Sequence, residues 1–157
     1  IRKGIKQEQK SIDLLNEFRF QKYEKNTVRL SNDFVTGEPD IITENSIIDI
    51  KTSWTLETFP ATPSEIDSSL YEWQLITYMW LFKKSSAELI YCMIDTDDDL
   101  LNEWDNLTIH KVSQHPPAKR ITSLNFERQP LYEEQMEERL FYCSEYYDKY
   151  MNELINK

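Results

Sequence analysis

Two runs rich in β-branched residues, 34–43 and 46–53, are separated by only two residues, 44–45. Strand-forming runs joined by so short a turn predict a β-hairpin. Antiparallel pairing across this turn joins residues whose numbers add up to 89, which places Asp40 opposite Asp49. Directly opposed side chains lie about 5 Å apart, and two carboxylates at that distance repel by about 3 kcal/mol at an effective dielectric of about 20. The hairpin therefore predicts a source of positive charge beside the two aspartates.

Two sources of that charge are possible. Side chains alternate between the faces of a strand, so Lys51 shares a face with Asp49 and can neutralise it in a salt bridge. A metal ion is the other source. It is favoured by a third carboxylate, because one ammonium group does not neutralise three.

The third carboxylate is Glu8, which lies in the apolar stripe of a helix predicted over residues 5–24. The stripe consists of Ile5, Ile12, Leu15 and Phe18. A glutamate on an apolar helix face is rarely buried unless it is paired or bound to metal. Either Glu8 points inward and converges on the aspartates, or it is peripheral and reaches solvent. Glu17 projects from the opposite side of the helix.

This set of side chains favours one kind of chemistry. Three carboxylates without histidine or thiolate suit Mg²⁺ or Mn²⁺ rather than zinc. Such an ion activates water and neutralises charge on a phosphoryl group, and a neighbouring lysine can hold the water or the phosphate. The predicted chemistry is metal-assisted hydrolysis of a phosphodiester.

The pattern after the hairpin predicts a helix over 62–82, with Thr62 as N-cap and Glu65 as the third helical residue. Bulky apolar residues surround this helix on nearly all sides, as expected for a helix packed on several faces. Gln74 and Tyr78 lie four residues apart and therefore on one face. Gln74 either contacts a ligand or has its amide satisfied by backbone; Tyr78 is expected to pack in the core with its hydroxyl outward, as is Tyr71.

The rest of the chain predicts strands at 89–94, 107–112 and 120–126, the first of them central because it is continuously apolar. Residues 95–105 form an acidic, solvated loop. A long helix begins at about residue 130, and its apolar stripe must cover the sheet or a partner. The stripe consists of Met136, Leu140, Cys143, Tyr147, Met151 and Leu154.

Together these elements predict an α/β fold in which a small central mixed β-sheet is flanked by helices. The 157 residues suit a single domain over 1–157. Two glycines are too few for the glycine-rich loops that bind phosphate or dinucleotides. No apolar run approaches the roughly 18 residues of a membrane span, so we expect no membrane partner.

The net charge of −10 is unevenly distributed, with +4 in residues 1–30 and −14 in the remainder. The basic segment is either a site of phosphate contact or a solvated helix face. Further candidate phosphate contacts are Lys51, Lys111, Lys119, Arg120 and Arg128.

The cysteines and histidines show no catalytic pattern. Cys92 and Cys143 are expected to be reduced thiols that pack in the core, in a cytosol-like compartment. His110 and His115 are expected to be surface or structural residues. The sequence opens at Ile1 without a signal-peptide pattern.

Four short motifs occur in order within the first half of the chain. Residues 37–40 contain a PD half-motif, and residues 49–51 a (D/E)XK half-motif with Asp in place of the commoner Glu. Gln74 and Tyr78 fit QxxxY, and residues 4–8 fit GxxxE. In this combination the chain resembles the PD-(D/E)XK nuclease superfamily, in particular its RecB-like and lambda-type phage exonuclease branch. The second half resembles it only in the order of strands and helices.

The resemblance implies a restriction-endonuclease-like core, with a four-stranded sheet between helices, and Mg²⁺ or Mn²⁺ as cofactor. The implied metal ligands are Glu8, Asp40, Asp49 and the carbonyl of Ile50. Lys51 would assist the water nucleophile, and Gln74 would organise the site and the DNA.

The sequence as a whole indicates a metal-dependent deoxyribonuclease. It resembles exonucleases of phage-type recombination or DNA processing, whose products carry a 5′-phosphate and a 3′-hydroxyl. DNA is the expected partner, and the related nucleases commonly form rings. The expected location is the cytoplasm, which for a phage protein is the cytoplasm of the bacterial host. A same-fold endonuclease with a structure or site preference is an alternative. A catalytically silent nucleic-acid-binding or assembly module is another.

Overall fold

The computed structural model describes residues 2–156. Its helices are α1 (Arg2–Arg19), α2 (Glu72–Leu81), α3 (Leu107–His110) and α4 (Pro130–Ile155). Its strands are β1 (Leu30–Ser31), β2 (Thr36–Gly37), β3 (Ile41–Ile42), β4 (Ser46–Thr52), β5 (Ser86–Cys92) and β6 (Ile121–Glu127).

Strands β3, β4, β5 and β6 form one mixed sheet in that spatial order. Strand β4 is antiparallel to β3 and parallel to β5, and β6 is antiparallel to β5. The hairpin register joins Ile41 to Ile48 and Ile42 to Ile47, so the paired numbers add up to 89 as predicted. The predicted fold class is confirmed.

The sheet packs between helices on both faces. On one face, Ile48 and Ile50 of β4 lie in a buried cluster with Leu15 of α1. On the other face, Ile47 of β4 lies in a second cluster with Leu75 of α2. Burial of each such side chain contributes about 1.5–3 kcal/mol. The predicted alternation of side chains along β4 is confirmed.

Helix α1 begins and ends earlier than the predicted 5–24. Phe20 has a left-handed backbone, with φ of 53°, and the Asn16 side chain exchanges two hydrogen bonds with the backbone of Tyr23. A residue in this conformation commonly ends a helix, because the helical hydrogen bonding cannot continue through it. The chain therefore leaves the helix after Arg19.

The inner face of α1 also differs from the predicted apolar stripe. Ile12 and Leu15 are fully buried, but Ile5 is 74% exposed and Phe18 is 39% exposed. Polar side chains take the remaining inner positions: Lys3, Gln7 and Ser11. A hydrophobicity pattern does not show these positions, because their burial depends on hydrogen bonds to another part of the chain.

The first predicted strand, 34–43, is wrong as a single element. Strand β2 pairs with β1 in a separate two-stranded ribbon, and the chain passes through Pro39 before β3 begins. Gly37 lies so close to α2 that a Cβ there would be 2.9 Å from Cε1 of Tyr78. The contact requires glycine and brings this segment against α2.

The continuous helix predicted over 62–82 is also wrong, although Thr62 and Pro63 take the predicted N-cap and first helical positions of a short turn. Residues Pro63–Glu65 form a single 3₁₀ turn, in which Glu65 accepts a hydrogen bond from the Ala61 amide. Ile66 then adopts an extended backbone and is buried in the core, so the helical path is interrupted. Helix α2 begins only at Glu72.

Three other predictions need correction. The predicted strand at 107–112 is a short helix, α3, capped by the side chain of Asn106. The central strand, predicted at 89–94, is β5 and begins at Ser86. The acidic loop is not simply solvated, since Asp95 accepts hydrogen bonds from the Val112 and Ser113 amides.

Helix α4 covers the sheet with its first turns only. Among the described residues of α4, Met136 is buried. Leu140 is half-buried against the cluster that contains Met136 and Leu75. Cys143 is exposed, so the prediction that it packs in the core is wrong, whereas Cys92 is buried. None of the helices within residues 2–156 is both long and apolar enough to cross a lipid bilayer.

Candidate active site

The buried polar residues of α1 fix this helix against the ends of β4 and β5. Lys3 Nζ donates to the carbonyls of Ile94, at 2.8 Å, and Trp54, at 3.1 Å. Ser11 Oγ lies 2.8 Å from Thr52 Oγ1. Glu8 lies between Lys3 and Ser11 in sequence, so these contacts set its position beside β4.

Asp40 links the two strands of the hairpin just beyond the end of their backbone pairing. The observed ladder ends at Ile41 and Ile48, so Asp40 and Asp49 are not a ladder pair. Instead, Asp40 Oδ2 accepts a hydrogen bond of 2.6 Å from the Ile50 amide. The half-buried carboxylate of Asp40 is held against β4 by this bond.

Asp49 and Lys51 form an ion pair on β4. Lys51 Nζ lies 2.6 Å from Asp49 Oδ2, and the Asp49 side chain is 3% exposed. Apart from this ammonium, Asp49 Oδ2 meets no donor within residues 2–156. Lys51 also lies over the ring of Tyr71, 4.8 Å from its centroid. The salt-bridge alternative is thus present in the structure.

Glu8 is turned inward rather than to bulk water. Its Oε2 accepts a hydrogen bond of 2.8 Å from Lys25 Nζ, and its side chain is 19% exposed. Its Oε1 is buried and meets no donor in the described part of the chain. Glu8 therefore offers one oxygen that is neither solvated nor hydrogen-bonded.

An open cavity of about 410 Å³ lies at this site, and Asp49 is not among its described lining residues. Glu8, Asp40, Ile50 and Lys51 line it, together with Tyr71 and Tyr91. Gln74 is not among its described lining residues. The Gln74 amide donates to the Tyr78 hydroxyl at 2.9 Å instead, so it is satisfied by a side chain and not by backbone.

Burial and neighbouring carboxylates raise the pKa values of both aspartates. Burial raises the pKa of Asp40 to about 6, with Asp49 and then Glu8 adding to the effect and the Ile50 amide opposing it. Burial also raises the pKa of Asp49, against the opposing effect of Lys51. For Lys51, burial lowers the pKa, but Asp49 and Asp40 outweigh it and the net shift is upward. The cavity therefore favours additional positive charge.

No three acidic, histidine or cysteine side chains within residues 2–156 are clustered closely enough to form a preassembled metal site. The physical reason is the same repulsion, since Asp49 and Glu8 each pair with a lysine instead. A cation that binds here must compete with two ammonium groups.

Most of the basic segment is neutralised within the chain. Lys3 is buried in its carbonyl contacts. The other pairs are Lys6–Asp99, Lys10–Asp97, Arg19–Glu88, Lys25–Glu8 and Arg29–Glu38. Lys111 and Arg128, two of the candidate phosphate contacts, pair with Asp98 and Glu133. The +4 of this segment is therefore not a free basic surface.

Sequence reasoning missed two residues of the site. Tyr91 faces the cavity because β5 pairs Tyr91 with Lys51 in the parallel register. Lys25 reaches Glu8 because the chain turns back after α1. The continuously apolar run predicted at 89–94 did not single out Tyr91, and only the strand register could select that residue.

The mixed sheet between helices has the architecture of a restriction-endonuclease-like core, and Glu8, Asp40 and Lys51 line one cavity beside it. No model of a known protein family matches the chain, and no curated protein matches it in sequence.

Comparison with solved structures identifies two exonucleases. A phage-related exonuclease from Haemophilus somnus 129PT aligns with a TM-score of 0.90 and 29% identity, over 98% of this chain and 72% of that one. An alkaline exonuclease from Laribacter hongkongensis shares the fold, with a TM-score of 0.52 and 11% identity over 96% of this chain and 73% of that one. The predicted resemblance to lambda-type exonucleases of the PD-(D/E)XK superfamily is confirmed. It supports a nuclease, and more narrowly an exonuclease, role for this chain.

Proposed function

We propose that the chain is a divalent-metal-dependent DNA exonuclease of phage-type recombination or DNA processing, which leaves 5′-phosphate and 3′-hydroxyl ends. The observation that carries the proposal is the buried oxygen Glu8 Oε1, which meets no hydrogen-bond donor within residues 2–156, close to Asp49 Oδ2, which meets only the Lys51 ammonium. A buried, ionised oxygen without a donor is unfavourable unless a cation compensates it. The likeness to a phage-related exonuclease supports the same reading.

The donor set fits a hard cation. Glu8, Asp40 and Asp49 would supply carboxylate oxygens, and the carbonyl of Ile50 a neutral one, which are the ligand types that Mg²⁺ and Mn²⁺ prefer. A bound ion would neutralise charge on the scissile phosphate and increase the acidity of a water molecule. Its binding would release Lys51 from Asp49, so that the ammonium can hold the phosphate or the attacking water.

Glu8→Gln is expected to weaken Mn²⁺ binding by at least about tenfold. This is the lower end of the loss of metal affinity caused by substitutions around a metal site. The substitution removes a negative charge and keeps the size of the side chain. Titration calorimetry without DNA measures the effect. Glu17→Gln, on the exposed side of the same helix, is the matched control. Equal affinities for the two variants would show that Glu8 only pairs with Lys25.

Mn²⁺ affinity is expected to depend on pH through Asp40. Its pKa of about 6 in the folded protein lies above the usual 3.8, so protons compete with the metal below about pH 6. The apparent affinity should fall about tenfold per pH unit there, if one proton is displaced. By the same linkage, the metal-free protein should lose stability as pH rises from about 4 to 6, since the folded state binds the proton more tightly. Mn²⁺ titration and urea unfolding across pH 4–8 measure both effects.

The proposed function is tested by digestion of 5′-labelled linear duplex, nicked circle and single strand, each with Mg²⁺, Mn²⁺ or EDTA. The expected result is degradation of linear duplex with either metal, none with EDTA, and intact covalently closed circles in a parallel lane. Cutting of closed circles would identify an endonuclease. Digestion that resists EDTA, or that is unimpaired in Asp49→Ala, would refute the mechanism. If the protein does not bind Mn²⁺ and Lys51→Ala changes none of the measured properties, the chain is a catalytically silent module.

We also propose that the chain forms one domain, acts in the cytoplasm on DNA and assembles as a homo-oligomer. A single cooperative unfolding transition tests the first point, since independent domains melt separately. Light scattering of the purified protein tests the last, and a monomer at all concentrations would contradict it.

A further inference from the structure

A second cavity, of about 460 Å³, opens at the edge of the sheet next to the candidate active site. The strand register relates the two cavities: Lys51 of β4 pairs with Tyr91 of β5, and Tyr91 pairs with Thr122 of β6. Partnered side chains project from the same face of a sheet. Lys51 and Tyr91 line the first cavity, and Thr122 lines the second, so Tyr91 stands between them.

The second cavity combines apolar walls with a few polar groups. Phe59 forms one wall, and Met93 and Thr122 are buried in its floor. Thr122, of which only 6% is exposed, contributes a hydroxyl group to this lining. His115 and the exposed Lys119 lie on the opposite side, in the loop before β6.

We propose that this cavity receives one nucleobase of the DNA strand held at the candidate active site, an inference that rests on the proposed nuclease function. Bases stack on aromatic rings without sequence preference, and Phe59 supplies such a ring. The hydroxyl of Thr122 and the imidazole of His115 can form hydrogen bonds with the polar edge of a base. Lys119 supplies the charge that a neighbouring phosphate requires.

The separation of the two cavities fits neighbouring nucleotides. Adjacent strands lie about 4.8 Å apart, so Lys51 and Thr122, two strands apart, are about 10 Å from each other. This span corresponds to about three stacked nucleotides of B-form DNA, at 3.4 Å each along one strand, and to fewer of an extended strand. The base in the cavity therefore belongs to a nucleotide within about three positions of the scissile phosphate.

The experiment places a single abasic site at each position around the expected cleavage point of a duplex. Binding is measured by fluorescence anisotropy in EDTA, and cleavage with Mg²⁺. One position within three nucleotides is expected to show about tenfold weaker binding, from the loss of stacking. A flat profile in the wild-type protein would overturn the base pocket.

Ala118→Phe fills the cavity, because Ala118 lines it, and Thr122→Val removes only the hydroxyl group of Thr122. Both variants should bind intact DNA more weakly, and Ala118→Phe should lose the dependence on the abasic position. Gln114→Phe, an exposed residue of the same loop outside the lining, is the matched control. An abasic profile that survives in Ala118→Phe would contradict the pocket. Failure of the proposed function is distinct, because it would abolish cleavage of intact DNA by the wild-type protein.

Discussion

Replacement of Asp49 by Asn is expected to reduce hydrolysis of linear duplex DNA by about a thousandfold. Asp49 is buried, and its Oδ2 meets only the Lys51 ammonium, so its carboxylate is a strong candidate metal ligand beside the cavity. A Lewis-acid metal ion contributes several kcal/mol to stabilisation of the transition state, and each 1.36 kcal/mol is a factor of ten in rate. Single-turnover cleavage of a labelled duplex measures the loss of rate, and a parallel Mn²⁺ titration measures the loss of metal affinity.

The matched control is Asp13→Asn, which changes an exposed carboxylate on α1. It should keep the wild-type rate and Mn²⁺ affinity. Circular dichroism of Asp49→Asn establishes that the variant is folded. A folded Asp49→Asn protein with the activity of Asp13→Asn would rule out the hairpin as the metal site.

Lys51→Met should lower the rate of hydrolysis by about 10²–10⁴, the range contributed by a positioned acid–base group, while Mn²⁺ binding is retained or improved. The physical reason is that Lys51 competes with a cation for Asp49, whose Oδ2 lies 2.6 Å from Lys51 Nζ. Methionine keeps the length of the side chain and its contact with the ring of Tyr71. A lower rate with retained Mn²⁺ binding is expected for loss of an assisting lysine. Loss of a metal ligand would weaken both hydrolysis and Mn²⁺ binding.

Lys149→Met, on the exposed part of α4, serves as the control for Lys51→Met. Two outcomes would contradict the role given to Lys51. An unchanged rate would mean that the ammonium only neutralises Asp49, and a loss of Mn²⁺ binding would mean that the ion pair holds the site together.

The hairpin was predictable because its constraints are local. A two-residue turn fixes the register, and the observed pairing of Ile41 with Ile48 follows from the turn length. The buried central strand was predictable from its apolar run. The helix boundaries were less predictable, because they depend on packing. Helix α1 ends at the contact made by Asn16, and α2 begins late because Ile66 is buried in an extended conformation.

The same distinction applies to the candidate site. Its first members, Glu8, Asp40 and Lys51, come from motifs and spacing, and the structure brings them to one cavity. Their roles stay predictions. Lys25 and Tyr91 could not be selected beforehand, because one requires the return of the chain after α1 and the other the parallel register of β5.

Charge was the least predictable property. The basic first segment indicated a surface for phosphate, but its lysines and arginines mostly pair with carboxylates distant in sequence, such as Arg19 with Glu88. Net charge of a segment does not show which charges are already compensated, since that depends on tertiary contacts.

The exposure of the second half of α4 has a consequence for local order. From Phe141 to Ile155 nearly every side chain is exposed, and an isolated helix of about 15 residues is only marginally stable in water. Order there rests on neighbours one turn apart, such as the stacked rings of Tyr146 and Tyr150. Amide protons of these turns should therefore exchange with deuterium orders of magnitude faster than those of β5, so that a single continuous helix has one protected and one rapidly labelled half.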